Sequence, residues 1–244
     1  LNSCLSNVAQ VNEEESRLIS EFGPELAVIK GRVDGLEARV GEFEAGMFAS
    51  TTKLGGEHIF VIGGVDGVSG KEAVHFNYHT VLELTSSFSG EDMLLTAIEA
   101  GNFDETPFAD DVALEANFGG GSKLQIAKLF YQRPVGENLS VAAGPYVRQD
   151  DLLGVWPSSY PSDTVLDVLT YAGANAAYSL AEGAGAGITY SKDKLSASLV
   201  LISDEGSDAS QGILTEQGSD DVTAQLAWVD DNFTIAAAYT TSDG

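Results

Sequence analysis

The chain has 244 residues, with 12 Lys and Arg against 37 Asp and Glu, for a formal charge of −25. That balance excludes nucleic acid as a partner, because phosphate binding needs a basic surface. No run of about 18 apolar residues is present to form a transmembrane helix. Mean hydropathy is +0.01 and 27 residues are Gly, values that suit a soluble β protein or a membrane barrel of alternating strands. A single cysteine, Cys4, can make no internal disulfide, and no Cys/His cluster has metal-site spacing. The start at Leu1 without an initiator Met, and the strand-like run from Tyr239 to Gly244, read as part of a longer polypeptide.

The first fifty residues carry a helical pattern. Leu26, Val33, Val40 and Met47 fall on one seam position, and Ile29, Leu36 and Phe43 on the other. Pro24 suits the first turn of this helix. A period of 3.5 residues is the signature of a left-handed coiled coil. The flanking positions pair as Glu25–Lys30, Arg32–Glu37 and Arg39–Glu44 between parallel neighbours, three opposite-charge pairs. Each is worth only about 0.3–0.5 kcal/mol, so their value is in specifying a parallel, in-register partner. A single amphipathic helix is the alternative, but Gly31, Gly35 and Gly41 on its outer face weaken it. Residues 1–50 are therefore expected to be a linker and oligomerising coiled coil; the seam does not choose between dimer and trimer.

From Thr51 the period changes to two. His75 to Phe88 places Phe76, Tyr78, Leu82, Leu84 and Phe88 on one face and His75, Asn77, His79 and Glu83 on the other. Such a run exceeds the usual globular strand of about five or six residues and is long enough to cross a bilayer. Further strands are predicted at Lys53–Val65, Met93–Phe103, Lys123–Arg133, Asn138–Arg148, Gly183–Ser191, Lys194–Ser203, Asp221–Val229 and Phe233–Thr240. Tight turns alternate with longer acidic links, the rim pattern of an outer-membrane barrel. Nine strands cannot close a pore that needs about 16, so residues 51–244 are expected to be the N-terminal half of a barrel.

Few motifs point to chemistry. Gly119-Gly120-Gly121-Ser122-Lys123 lacks phosphate-loop spacing and leads into a strand, so it reads as a hairpin turn. Gly183-Ala184-Gly185-Ala186-Gly187 reads as a strand against which something packs closely. His75 and His79 are about 13 Å apart along a strand and cannot chelate one ion. They are expected, with Glu83 and Glu99, to be solvated side chains facing a lumen. The acidic Asp204–Asp221 stretch matches no defined calcium loop. No catalytic constellation stands out; neither enzyme activity, a cofactor nor a metal is expected.

The segment at about 148–172 breaks the strand pattern and is too rich in Trp, Tyr and Leu for a solvated loop. A long insertion of this kind is usually functional. In a barrel it would fold into the lumen, with Arg148, Asp150, Asp151, Trp156, Tyr160, Asp163 and Asp167 setting the constriction.

Val147-Arg148-Gln149-Asp150-Asp151, Val155-Trp156-Pro157-Ser158 and Tyr160-Pro161-Ser162-Asp163-Thr164-Val165-Leu166-Asp167 carry a family resemblance. They resemble the cyanobacterial major outer-membrane porins, the Som-type branch of the OprB-like carbohydrate-selective family. Lys30–Arg39, Ala100–Phe103 and Thr170–Gly173 fit the same proteins. The resemblance implies a surface-layer-homology domain bound to peptidoglycan and missing here, a coiled-coil spacer, and a homotrimeric barrel in outer-membrane lipid. It implies passive diffusion of small solutes and inorganic ions, with iron or sugars among the candidates. In relatives Met93–Phe103 carries basic lumen residues; here Leu95, Ala97 and Glu99 stand in the alternating positions, which argues against an anion preference, and the lumen-facing Glu83 and Glu99 are expected to bias the pore toward cations. A non-conducting anchor between outer membrane and peptidoglycan is the second reading, and a soluble β-sandwich binding protein on a stalk the third.

Overall fold

Strict two-residue alternation over 9 to 12 residues dictates long strands, because each register step reverses the face a side chain occupies. The computed structural model describes Arg17, Arg32, Val33, Gly35 and residues 52–109, 114–158, 160–161, 164–167 and 177–243. The chain divides into two units, Leu1–Ser50 and Thr51–Gly244. In the first, the four described residues are α-helical and Val33 is exposed. The other seam positions (Leu26, Ile29, Leu36, Val40, Phe43 and Met47), and with them the coiled coil, lie outside the described residues.

Among its described residues the second unit is built of β-strands, with one 3₁₀ turn. Nine strands form one antiparallel sheet in which each strand pairs with its neighbours in sequence. They are β1 (Thr52–Gly63), β2 (His75–Ser86), β3 (Met93–Gly101), β4 (Gln125–Val135), β5 (Leu139–Arg148), β6 (Glu182–Lys192), β7 (Leu195–Ser203), β8 (Asp220–Val229) and β9 (Thr234–Asp243). The sheet is open, with β1 and β9 as its edges. Links at 87–92, 136–138, 193–194 and 230–233 are short and share one rim. Those at 64–74, 102–124, 149–181 and 204–219 are long and share the other. Irregular register at Ala97/Ile98, Leu129/Tyr131 and Gly144/Val147 bends the central strands. Pro145, which has no N–H to donate, sits within the last of these.

The two faces are inverted relative to a soluble sheet. On β8, Ala224, Leu226 and Trp228 are exposed, while Thr223, Gln225 and Ala227 are buried. On β7, Ser196 and Ser198 are buried and Leu195 and Leu199 exposed. Register carries this pattern across the sheet, because Ser198 pairs with Gln225 and Leu199 with Ala224. We call the polar face the inner face. It is covered by the chain's own long links: Phe130, Val147, Val200 and Ile202 on the wall pack with Leu152 and Ala181 of the link 149–181 in one apolar cluster. The core is thus a seam between wall and insert.

Candidate functional site

The inner face of β6 to β9 is built to hold the segment that follows β5. Gly187 leaves room for Leu152; a Cβ there would stand 2.9 Å from the Leu152 Cβ. The close approach expected of the Gly183–Gly187 run is therefore made by the insertion. Its backbone then finds wall side chains. The Gly154 N–H donates to Ser198 Oγ at 2.7 Å, and Thr189 Oγ1 donates to the Leu152 carbonyl at 3.3 Å. Gln225 is bidentate, accepting from the Val155 N–H at 3.2 Å and donating to its carbonyl at 3.0 Å. It also donates to the Tyr178 hydroxyl at 2.8 Å. Gln149, wholly buried in the 3₁₀ turn Gln149–Leu152, donates to Thr223 and accepts from the Leu180 N–H at 3.2 Å. Thr240 on β9 donates to the Ala177 carbonyl at 2.7 Å. These bonds satisfy an irregular backbone that would otherwise be buried without partners.

Charges staple the start of the segment. Arg148 grips Asp150 with Nε at 2.6 Å and Nη2 at 2.7 Å, a two-pronged pair. Lys128 on β4 reaches Asp151 at 2.6 Å, and the other Asp151 oxygen accepts the Arg148 N–H at 3.1 Å. Of the residues expected at a constriction, Arg148, Asp150 and Asp151 therefore gather in one network that holds the insert to the wall. Trp156 lies further along, its indole N–H donating to the Tyr160 carbonyl at 2.8 Å. Tyr160 and Asp167 are exposed, and Asp163 lies outside the described residues.

A second insert covers β1 to β3. Phe103 is wholly buried, and Phe108 and Phe118 lie against the two histidines of β2, at ring separations of 4.7 Å from His75 and 5.7 Å from His79. Asn77 donates to the Asn102 carbonyl at 3.0 Å, and the Tyr78 N–H donates to Asn102 Oδ1 at 2.8 Å. Asp104 accepts the Gly120 and Gly121 N–H groups at 2.7 and 2.9 Å. Those amide donors, Gly120 foremost, hold its carboxyl below the usual range. The expectation of solvated histidines is corrected here: aromatic side chains of residues 102–124 cap both rings. The two inserts also meet, through a bridge between Leu114 and Leu166 and a 3.2 Å bond from the Glu115 N–H to the Val165 carbonyl.

Between them remains a recess of roughly 500 Å³, into which Glu57, Glu83, Glu99 and Glu115 contribute carboxylates. His79 lies 3.4 Å from Glu99, and Gln125 donates to Glu99 at 3.1 Å. Lys128 and Arg148 also line it, but each is engaged by an aspartate of the insert. Glu83 and Glu99 thus share a site with Arg148, whereas Trp156 lines a separate recess with Thr234 and Ala236. The sequence reading missed Gln149 and Gln225 as anchors and Phe103, Phe108 and Phe118 as a cap. A usable signal was present: three phenylalanines in one link are too apolar for a solvated turn. Among the described residues, no three His, Cys, Asp or Glu side chains converge as a metal site, and no helix is long and apolar enough to cross a membrane.

No family model matches the chain. Over 163 residues it is 34% identical to an uncharacterized protein of Nostoc sp., covering 56% of this chain and 28% of that protein. It is 28% identical to an uncharacterized protein of Synechocystis sp., covering 59% of this chain and 30% of that one. The chain therefore spans less than a third of the length of these curated relatives. Among solved structures it is similar to a mutant of Rh. blastica porin, with a TM-score of 0.44 and 14% identity over 78% of this chain and 63% of that chain.

Proposed function

We propose that this chain supplies part of the wall of an outer-membrane β-barrel channel, a porin of the kind its sequence resembles, passing small solutes and inorganic ions. The observation that carries the reading is the inverted sheet. On β7 and β8, Leu195, Leu199, Leu226 and Trp228 face outward and Ser196, Ser198, Thr223 and Gln225 face inward, the pattern expected where lipid replaces water outside. Strand lengths near 10 residues and the alternation of short and long rims support it. Under this reading the two inserts narrow the lumen, and the recess beside Glu57, Glu83, Glu99 and Glu115 is the passage. Its two basic side chains are each ion-paired with an aspartate of the insert, so the carboxylates that line the recess outnumber them and favour cations. Homotrimer assembly, attachment to peptidoglycan and a role for the coiled coil belong to the same proposal.

Planar-bilayer recording on the full-length protein tests it. Stepwise conductance with a reversal potential indicating cation preference is expected, and Glu83→Gln with Glu99→Gln should reduce that preference. Clear anion selectivity in the unsubstituted protein would sink the selectivity assignment.

The extent of the filling favours one alternative: a barrel whose inner face is largely occupied could serve as a non-conducting anchor. A folded, membrane-inserted oligomer with no conductance would decide for it.

A further inference from the structure

Strand β8 carries an outward row, Trp228, Leu226, Ala224 and Val222, toward the long-link rim and ends it on a carboxylate, Asp220. Alternation puts that residue on the face where Ala224, Leu226 and Trp228 are exposed, yet Asp220 is only 5% exposed. The link 204–219 covers it. Ser203, opposite Asp220 on β7, donates to the Gly212 carbonyl at 3.4 Å, and the Leu214 N–H donates to Asp220 Oδ2 at 2.8 Å. The link thus folds back over the outward ends of β7 and β8. The other carboxylate oxygen of Asp220, Oδ1, is buried as well and finds no partner among the described residues.

A second carboxylate stands beside it. Asp243 on β9 is directly opposite Asp220 in the register, and residues so paired carry Cβ atoms about 4.5–5.5 Å apart. Both, with Glu216 of the link, line one recess of about 440 Å³ that Thr215, Val222 and Thr241 also border. Like charges directly opposite on neighbouring strands repel, and a buried carboxylate oxygen without a partner adds to the cost. Neither the stretch 204–222 nor β9 contains a Lys or Arg to neutralise them. A hard divalent cation would answer both defects at once. Ca²⁺ accepts about six to eight oxygens in irregular geometry and lets water fill the positions that the protein leaves, whereas Mg²⁺ demands a near-ideal octahedron.

We infer that Asp220 and Asp243 together hold a Ca²⁺ ion that ties the link 204–219 to β8 and β9. Asp220 Oδ1 is the buried ligand, Asp243 the exposed one, and water completes the shell; Glu216 adds charge to the recess. The site lies on the opposite face of the sheet from the glutamates of the lumen. It needs only the β8–β9 pairing and the link, so it goes beyond the channel reading and does not depend on it.

The test uses the full-length protein in detergent, freed of divalent ions with a chelator and then titrated with Ca²⁺. Hydrogen exchange in the segment 204–219 should slow about tenfold once Ca²⁺ exceeds its dissociation constant by roughly that factor. That constant is expected at roughly 10⁻⁴–10⁻³ M, the range of extracellular calcium modules. Asp220→Asn keeps an acceptor for the Leu214 N–H but removes the charge, and should abolish the slowing. Asp243→Asn, at an exposed position that does not decide folding, should do the same. Glu83→Gln with Glu99→Gln, on the lumen side, should leave it intact. Ca²⁺ that changes nothing in the unsubstituted protein overturns the proposal. So does slowing that persists in both aspartate variants, or that Mg²⁺ produces equally at the same concentrations. Protein that conducts in a bilayer but shows no such slowing loses this site alone, and slowing without conductance leaves the site and removes the channel.

Discussion

Gln149 shows how a neutral side chain can fix an irregular segment. It is fully buried, bonds to β8 through Thr223, and accepts from the backbone at Leu180. Cutting it back leaves the Leu180 N–H without its partner and the Thr223 hydroxyl with Thr240 alone. Gln149→Ala should therefore lower the unfolding free energy in detergent by about 1–3 kcal/mol, read by urea titration of the folded barrel. Asp104 works through charge. Its carboxyl is held below the usual range by the Gly120 and Gly121 amides. A depressed folded value means the clasp contributes fully above the unfolded carboxyl value and is lost as pH falls through the folded one. Hydrogen-exchange protection factors of the Gly120 and Gly121 amides should fall on strong acidification. Asp104→Ala should abolish that pH dependence. Protection that stays constant down to the lowest pH the fold survives would contradict this role.

At the level of single elements, β6 and β8 make opposite demands. The inner positions of β6 must stay small, because a Cβ at Gly187 already crowds Leu152. Gly187→Val should displace the insert at a cost of about 1–3 kcal/mol and change the conductance; an unchanged pore would show that the insert does not set it. The outward positions of β8 must stay apolar if lipid covers them. Leu226→Lys should cost about 2–4 kcal/mol in a bilayer, against roughly 0.5 kcal/mol or less on an ordinary wet surface, so refolding into liposomes separates the environments. The strands were legible because alternation is a local property. His75–Phe88 could be read directly, and the structure gives His75–Ser86. The second insert was not legible as one. Gly119-Gly120-Gly121 has the chemistry of a turn, yet Phe108 and Phe118 pack against the histidines of β2, a partner that spacing cannot reveal. The insertion after β5 was visible through its break in period, but its anchors were not, since Gln225 lies 70 residues beyond Val155.

For the whole molecule, the sheet leaves β1 and β9 with unpaired edges. A lipid environment tolerates no such edge, since every backbone N–H and C=O must find a partner within the protein. The segment 52–243 expressed alone should therefore fail to give a heat-modifiable, detergent-resistant band, whereas the full-length protein should give one. A stable band from the segment would mean that its two edges are closed by self-association. The inverted faces make the same point on a larger scale. The apolar cluster is small and internal, between Val147, Leu152, Val200 and their neighbours, while most large hydrophobic side chains look outward. Water would serve that surface poorly.

The partners of Gln149 carry a consequence for the order in which the molecule assembles. Its hydroxyl contacts on β8 and β9 come 74 and 91 residues later in the chain. Closing loops of that length is entropically costly until the intervening strands have zipped together, so long-range bonds of this kind form late. The insertion is made before β6 to β9 and can be seated only after them. It waits, and its docking behaves as a bolt thrown once the neighbouring wall is in register. A strand paired one residue out of step would turn Thr223 and Gln225 outward and leave the bolt without its keeper.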